Sequence, residues 1–220
     1  MGKRVSAEDQ NEAATQLVNS LIAIEGVTGE VLSRTNGTQT RNIAHLQCEP
    51  SSWRKVAETM KYDHEVDHCS MITGIHWPDS PDKNWEVIYH FLRTGVTDPA
   101  ITEDGSSIIP NITEPKKLSG KEVPLEIQVN IAIPETRTPS VSSVQDIWVG
   151  ADWNEKETWD LVGINFEGHQ YMMRVLNPHD SPQGFHPLQK QHHLRYHGHN
   201  EMYDDAQGFM RLPIDVDKVK

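Results

Sequence analysis

LEIQVNIAI, Leu125–Ile133, is the stretch on which the fold turns. Leu125, Ile127, Val129, Ile131 and Ile133 fall on one face, and Glu126, Gln128 and Asn130 fall on the other. That period of two marks a strand buried on one side only. Upstream, WEVIYHFL (85–92) sets Trp85, Val87, Tyr89 and Phe91 against Glu86, Ile88, His90 and Leu92, a strand whose second face is also partly covered.

Working outward, Glu30–Arg34 and Thr40–Cys48 flank Asn36-Gly37, a pair suited to positive φ, so a hairpin is predicted with Ala44, Leu46 and Cys48 on one face. Helices are predicted where the period changes to 3.6. One follows Ser6, with Ser6-x-x-Asp9 as a capping box and Ala14, Leu17, Val18, Leu21 and Ile22 as its stripe. A second begins near Ser51 with the core stripe Trp53, Val56, Ala57 and Met60. A third begins at Asp152, with Glu155 in capping position.

The order helix, strands, helix, strands, helix predicts an α+β fold of two layers, a mostly antiparallel sheet with helices on one face. Thr94–Pro124, with Pro99, Gly105, Pro110, Pro115 and Gly120 among charges, reads as a long surface loop. Residues 1–190 are assigned to one domain. Residues 191–220 turn polar and histidine-rich and are assigned to an extended C-terminal arm.

A formal charge of −12 disfavours nucleic acid, whose binding is driven by clustered Lys and Arg. Two cysteines, Cys48 and Cys69, form no zinc or iron-sulfur pattern and suit a reducing compartment. No apolar run approaches the roughly 20 residues that span a bilayer, and Met1–Gln10 has no signal-peptide core. Gly2 with Ser6, Asn36 and Asn111 match short modification patterns that recur by chance.

Several chemistries compete here with plain structural roles. His186, His192, His193, His197 and His199 could offer imidazoles to a metal, with His193 and His197 on one helix face; no general base is embedded among them and nothing fixes the outer partners that would orient the rings, so a solvated or interface-bound tail is the better account of them. Asp152, Glu155, Glu157 and Asp160 form an acidic run, of which Asp152 and Glu155 are explained as caps. No nucleophile elbow and no phosphate-binding glycine loop occurs.

Pro139–Lys190, PSVSSVQDIWVGADWNEKETWDLVGINFEGHQYMMRVLNPHDSPQGFHPLQK, resembles the hallmark region of the C-type subunit of respiratory complex I, the 30 kDa subunit family. The matching features fall on Trp148, Ala151, Asp152, Trp153, Glu155, Glu157, Trp159, Asp160, Gly163, Phe166, Glu167, Gly168, His169, Arg174, Leu176, His186, Pro187, Leu188 and Lys190. MITGIHWPD (71–79) is similar to the family's strand and turn before NWEVIYHFLR, which extends the resemblance back to about Leu46. Four departures stand out: Lys156 and Gln189 replace arginines, His76 replaces an aspartate, and KQHHL replaces the closing K-D-Y-P-L.

The resemblance implies a non-catalytic scaffold subunit in the peripheral arm of an NADH, ferredoxin or F420H2:quinone oxidoreductase, on the cytoplasmic face of a prokaryotic membrane. It implies no cofactor in this chain. Iron-sulfur clusters, a quinone and, as a further candidate, FMN would belong to the complex. Partners would be the hydrogenase-like D-type subunit and iron-sulfur subunits similar to those of the B and I types. An energy-converting hydrogenase offers an equivalent place, and a free metal-binding protein using the histidine tail is the competing class.

The predicted interface comprises Trp153, Glu155, Glu157, Trp159, Asp160, Phe166, Glu167, His169, Arg174, His186, Pro187, Leu188 and Lys190. Within it, Glu157, Asp160, His169 and Arg174 are expected to make charge-assisted contacts, either to a neighbouring protein of the complex or within the fold.

Overall fold

The computed structural model describes residues 6–37, 39–94 and 123–192. In chain order these form α1 (Ala7–Leu21), β1 (Val27–Asn36), β2 (Gln39–Cys48), α2 (Trp53–Tyr62), β3 (His68–His76), a 3-10 turn (Pro81–Lys83), β4 (Trp85–Arg93), β5 (Leu125–Ile133), β6 (Ser140–Ser142), α3 (Ala151–Val162) and β7 (Asn165–Glu167). One compact unit ends at Lys190. The loop predicted over 94–124 and the arm beyond Lys190 fall almost wholly outside the described residues.

The main sheet has the order β1-β2-β5-β4-β3. β1 with β2, β4 with β5 and β3 with β4 are antiparallel, and β2 runs parallel to β5. The register sets Ala44 opposite Ile127, Ile127 opposite Phe91, and Val129 opposite Tyr89, so alternation in each strand adds to a single apolar face. All three helices cover that face, which is the two-layer α+β arrangement expected from the strand patterns. Gly37, at the predicted hairpin turn, has φ +62°.

α1 is held at its start by the predicted capping box, with Asp9 N donating to Ser6 Oγ (3.1 Å) and Ser6 N donating to Asp9 Oδ2 (3.2 Å). α2 buries Trp53, Val56, Ala57 and Met60 as its spacing predicted. The Trp53 ring lies 4.3 Å from that of Tyr89 and 6.1 Å from that of Phe91; Phe91 in turn meets Trp148 at 4.5 Å. These rings form the centre of the core between sheet and helices.

α3 rests on β3, and the contact is close because Gly74 has no side chain. A Cβ there would come within 2.6 Å of Thr158 Cγ2. β6 and β7, three residues each, pair in parallel as a separate ribbon beside α3.

Candidate functional site

The family-like stretch folds as α3 with a segment before it and a wrap after it. α3 differs from an ordinary surface helix in what it buries: besides Ala151 and Val162, its inner side holds Glu155, Lys156, Thr158 and Asp160. Buried polar groups persist only where each finds a partner, so the partners define the site.

The predicted start of α3 is corrected. The helix begins at Ala151 with Gly150 as N-cap and no side-chain cap, and Asp152 lies in its first turn. Glu155 therefore does not cap. It is fully buried, and its carboxyl accepts from Ser143 Oγ (2.6 Å) and Val144 N (2.8 Å), tying α3 to the segment after β6. Burial pushes this carboxyl up to about 7, against the lowering by the Ser143 and Val144 bonds; Asp152 and Asp146 add to the rise.

Asp160, also fully buried, is the most densely bonded group in the region. Its Oδ1 accepts from Arg174 Nη1 (2.7 Å) and Asn177 Nδ2 (2.9 Å). Its Oδ2 accepts from three successive backbone amides, those of Val175 (3.0 Å), Leu176 (2.9 Å) and Asn177 (2.9 Å). Burial alone would raise this carboxyl, but the donors from Asn177, Leu176 and Arg174 together hold it well below the usual carboxylate range. Arg174 also donates to Phe185 O (3.1 Å) and Pro182 O (3.0 Å), so one carboxylate and one guanidinium shape the whole 174–186 wrap.

At the other end of α3, Asp152 gathers Lys156 Nζ (2.8 Å) and His169 Nε2 (3.2 Å). Gln145, with its amide turned to suit its neighbours, donates to Asp152 Oδ1 (3.1 Å) and accepts from Gln170 N (2.7 Å). The His169 side chain is fully buried; its Nδ1 accepts from Tyr171 N (3.2 Å).

The other predicted residues gather around the same helix. The Trp159 ring is half-buried, 5.9 Å from His186 and beneath Arg174 at 5.7 Å. His186 Nδ1 meets Asp160 O at 3.0 Å. Phe166 belongs to the core, and Glu167 accepts from Ser140 Oγ (2.6 Å) across the β6–β7 ribbon. Pro187 is half-buried, Leu188 N donates to Leu161 O (2.9 Å), and Lys190 N donates to His76 Nδ1 (3.1 Å). Trp153 and Glu157 point outward, Trp153 with 62% exposure.

The residues that depart from the family pattern have partners too. Lys156 pairs with Asp152, Gln189 Nε2 donates to Val162 O (2.8 Å), and His76 stacks on Trp85 at 4.1 Å. Of the charged residues expected to make contacts, Asp160, His169 and Arg174 thus make theirs within the fold.

With the inner side satisfied, apolar side chains remain on the outer side. Val149 is 90% exposed and Tyr171 74%, and Met173, Leu176 and Leu188 are exposed with Trp153. Val149, Tyr171 and Leu176 are not among the predicted interface residues. Among the described residues no cluster of His, Cys, Asp or Glu is arranged to hold a metal, and His193, His197 and His199 lie outside them. No helix among them is long and apolar enough to cross a membrane.

The model of the family described as "Respiratory-chain NADH dehydrogenase, 30 Kd subunit" matches residues 46–198. The C-type subunit of NADH-quinone oxidoreductase in Hydrogenovibrio crunogenus is 33% identical over 165 residues, which cover 71% of this chain and 69% of that protein. Its counterpart in Rhizobium rhizogenes is 33% identical over 121 residues, 54% of this chain. The chain spans 44% of the length of that relative and 44% of a Nocardioides one. Among solved structures, a chain of the membrane-bound sulfane sulfur reductase, an archaeal respiratory membrane complex, shares the fold. Its TM-score is 0.58 at 18% identity, with 95% of this chain and 96% of that one covered. With its hallmark stretch folded around α3 and the family match spanning most of its length, the chain belongs to the 30 kDa subunit family of the respiratory-chain NADH dehydrogenase, which supplies the C-type subunit of complex I.

Proposed function

We propose that the chain is a non-catalytic scaffold subunit of a complex I-type quinone oxidoreductase, docking through the outer side of α3 and its wrap onto a hydrogenase-like D-type subunit. One observation carries this: Glu155, Lys156, Thr158 and Asp160 are spent inward, while Val149, Trp153, Tyr171, Met173, Leu176 and Leu188 stand exposed around one helix. Aromatic and Met side chains of this kind make the buried centre of protein interfaces, and their exposure on a free chain marks a binding surface. Exposed Glu157 adds a charge at its rim.

A relative in Gluconacetobacter diazotrophicus, 41% identical over 69 residues, is a C/D-type subunit of NADH-quinone oxidoreductase, which supports a D-type partner for this chain; the match covers 31% of this chain and 11% of that protein. In this proposal the iron-sulfur clusters, the quinone and any FMN are held by partner subunits. The donor is NADH, ferredoxin or F420H2, and the chain reaches the cytoplasmic face of the membrane only through the complex.

The test is affinity purification of this chain from native membranes in mild detergent, followed by mass spectrometry and iron analysis. Co-purification of a D-type subunit and iron-sulfur subunits in equal amounts is expected. Recovery of the chain alone, or with a different class of partner, would sink the proposal.

A further inference from the structure

We propose that Glu155 is a buried proton-binding site, and that its charge state sets how firmly the segment after β6 and the turn after β7 are held against the start of α3. The site stands on this chain alone. Only its consequence for docking rests on the scaffold reading above.

The geometry is that of a carboxyl without a bonded cation. Glu155 is fully buried, and its two hydrogen-bond donors, Ser143 Oγ and Val144 N, are neutral. Every element packed against it brings a titratable or charged group, and none is a cation committed to Glu155. Within α3, Lys156 Nζ is engaged by Asp152 Oδ2 at 2.8 Å, on the same helix. From the segment after β6 comes Asp146, which holds Arg54 of α2 through bonds of 2.8 Å and 2.6 Å. Cys69 of β3 and Tyr89 of β4 face it from the sheet. From the turn after β7, His169 Nε2 lies 4.0 Å from Glu155 Oε2.

His169 is turned to other partners: its Nδ1 accepts from Tyr171 N, and its Nε2 lies closer to Asp152 Oδ1 (3.2 Å) and to the turned Gln145 amide nitrogen (3.1 Å) than to Glu155 Oε2. Glu155 takes up a proton without losing a partner. Ser143 Oγ then reverses from donor to acceptor of the new O–H, while Val144 N continues to donate to the other oxygen. The neutral form keeps both bonds and loses the desolvation cost of a buried charge. The upward shift of this carboxyl has burial as its first cause, in keeping with that geometry.

When the proton leaves, the negative charge remains buried beside Asp152, with Asp146 nearby, and the structure relieves it by opening the two segments that enclose it. These are Ser143–Ile147 and the Gly168–Tyr171 turn, which leads to exposed Tyr171 and flanks the Trp153 face. Deprotonation would thus loosen one margin of the proposed docking surface.

The full chain with carbon-13-labelled glutamate is titrated by NMR, and the Glu155 carboxyl resonance is assigned by its absence in Glu155→Gln. The Glu155 resonance is expected to move near pH 7, while exposed glutamates move near about 4.3. Movement together with the exposed glutamates would overturn the proposal. Amide exchange, corrected for intrinsic rate, provides the second arm. Protection of 143–147 and 168–171 is expected to fall by up to about tenfold per pH unit between the ordinary carboxyl value of about 4.3 and the Glu155 midpoint, the limit for one proton, and to level off above it, and Glu155→Gln is expected to flatten that profile. An unchanged profile in Glu155→Gln would overturn the coupling.

If Glu155→Gln does not fold, Ser143→Ala replaces it: the charged form loses a charge-assisted bond and the neutral form only a weaker one, so the midpoint of the buried glutamate is expected to rise, and an unmoved midpoint counts against the site. A Glu155 resonance that moves near pH 7 in a chain that purifies without a D-type subunit defeats the docking function and leaves the proton site standing.

Discussion

Arg174 Nη1 lies 2.7 Å from Asp160 Oδ1 at the inner side of α3, and the same carboxylate holds three successive amides of the wrap. The pair is the hinge between a helix and a stretch with no regular structure of its own. Removing one partner would strand the other in the interior. Asp160→Ala is expected to cost about 3–5 kcal/mol, the range for breaking a buried pair, read as a lower urea midpoint. Arg174→Lys should recover only part of the loss in Arg174→Ala, because an ammonium cannot reach Asp160, Phe185 O and Pro182 O together. A loss under about 1 kcal/mol in Asp160→Ala, within the range of an exposed pair, would show that the wrap is held by other means.

The same carboxylate sets an acid limit. Its folded-state pKa lies below the unfolded value, so its stabilisation is complete above about pH 4 and is lost as pH falls toward the folded value. Acid unfolding of the native chain, followed by tryptophan fluorescence, should therefore show a component that disappears in Asp160→Asn. An identical acid profile in the two proteins would count against Asp160 as its source.

Trp153 and Trp53 separate surface from core. Trp153→Ala, at an exposed position, should change stability by about 0.5 kcal/mol or less yet lower recovery of a D-type subunit from membranes several-fold. Trp53→Ala, at the centre of the ring cluster, should cost about 3–5 kcal/mol. Equal partner recovery with Trp153→Ala and the native chain would move the docking surface elsewhere.

Cys48 and Cys69 are free thiols, each pushed up to about 12 chiefly by burial, with Glu49 and Glu155 respectively adding to the rise. Neither should react with a thiol-specific reagent at about pH 8 in the folded chain, and both should react in urea. Rapid labelling of the native protein would mean that the core opens readily around β2 or β3.

Gly74 allows α3 to lie close on β3. Gly74→Ala is expected to cost about 1–3 kcal/mol, as overpacking does, because its Cβ would meet Thr158 Cγ2 at 2.6 Å and Ile164 Cδ1 at 3.3 Å. Thr158→Ser, which removes the obstructing methyl group and keeps the hydroxyl that donates to Ile72 O, should recover part of that loss. No recovery in a thermal melt of the double variant would point to the backbone rather than the contact.

The sheet was legible in the sequence because its information is local. Alternation in Leu125–Ile133 and Trp85–Leu92, the Asn36-Gly37 turn and the stripes of α1 and α2 each state a period and a buried face within a few residues. Together these determined the α+β class and the two layers, and the long hallmark stretch determined the family. The short strands β6 and β7 were not legible, since three residues carry no period and their pairing spans 25 positions, Ser140 to Asn165.

Tertiary structure alone decided the inner side of α3. In sequence Glu155 reads as a cap, and Asp160 as a charge whose partner could lie on a neighbouring protein or within the fold, because a charged residue in a helix ordinarily faces outward. Their burial depends on donors that the chain supplies 11 and 12 residues upstream, at Val144 and Ser143, and 14 to 17 residues downstream, at Arg174 to Asn177. No local pattern encodes such distant partners. Only folding brings them within hydrogen-bond reach, and only then is it settled that Glu155 and Asp160 turn inward while Val149, Trp153 and Tyr171 turn out.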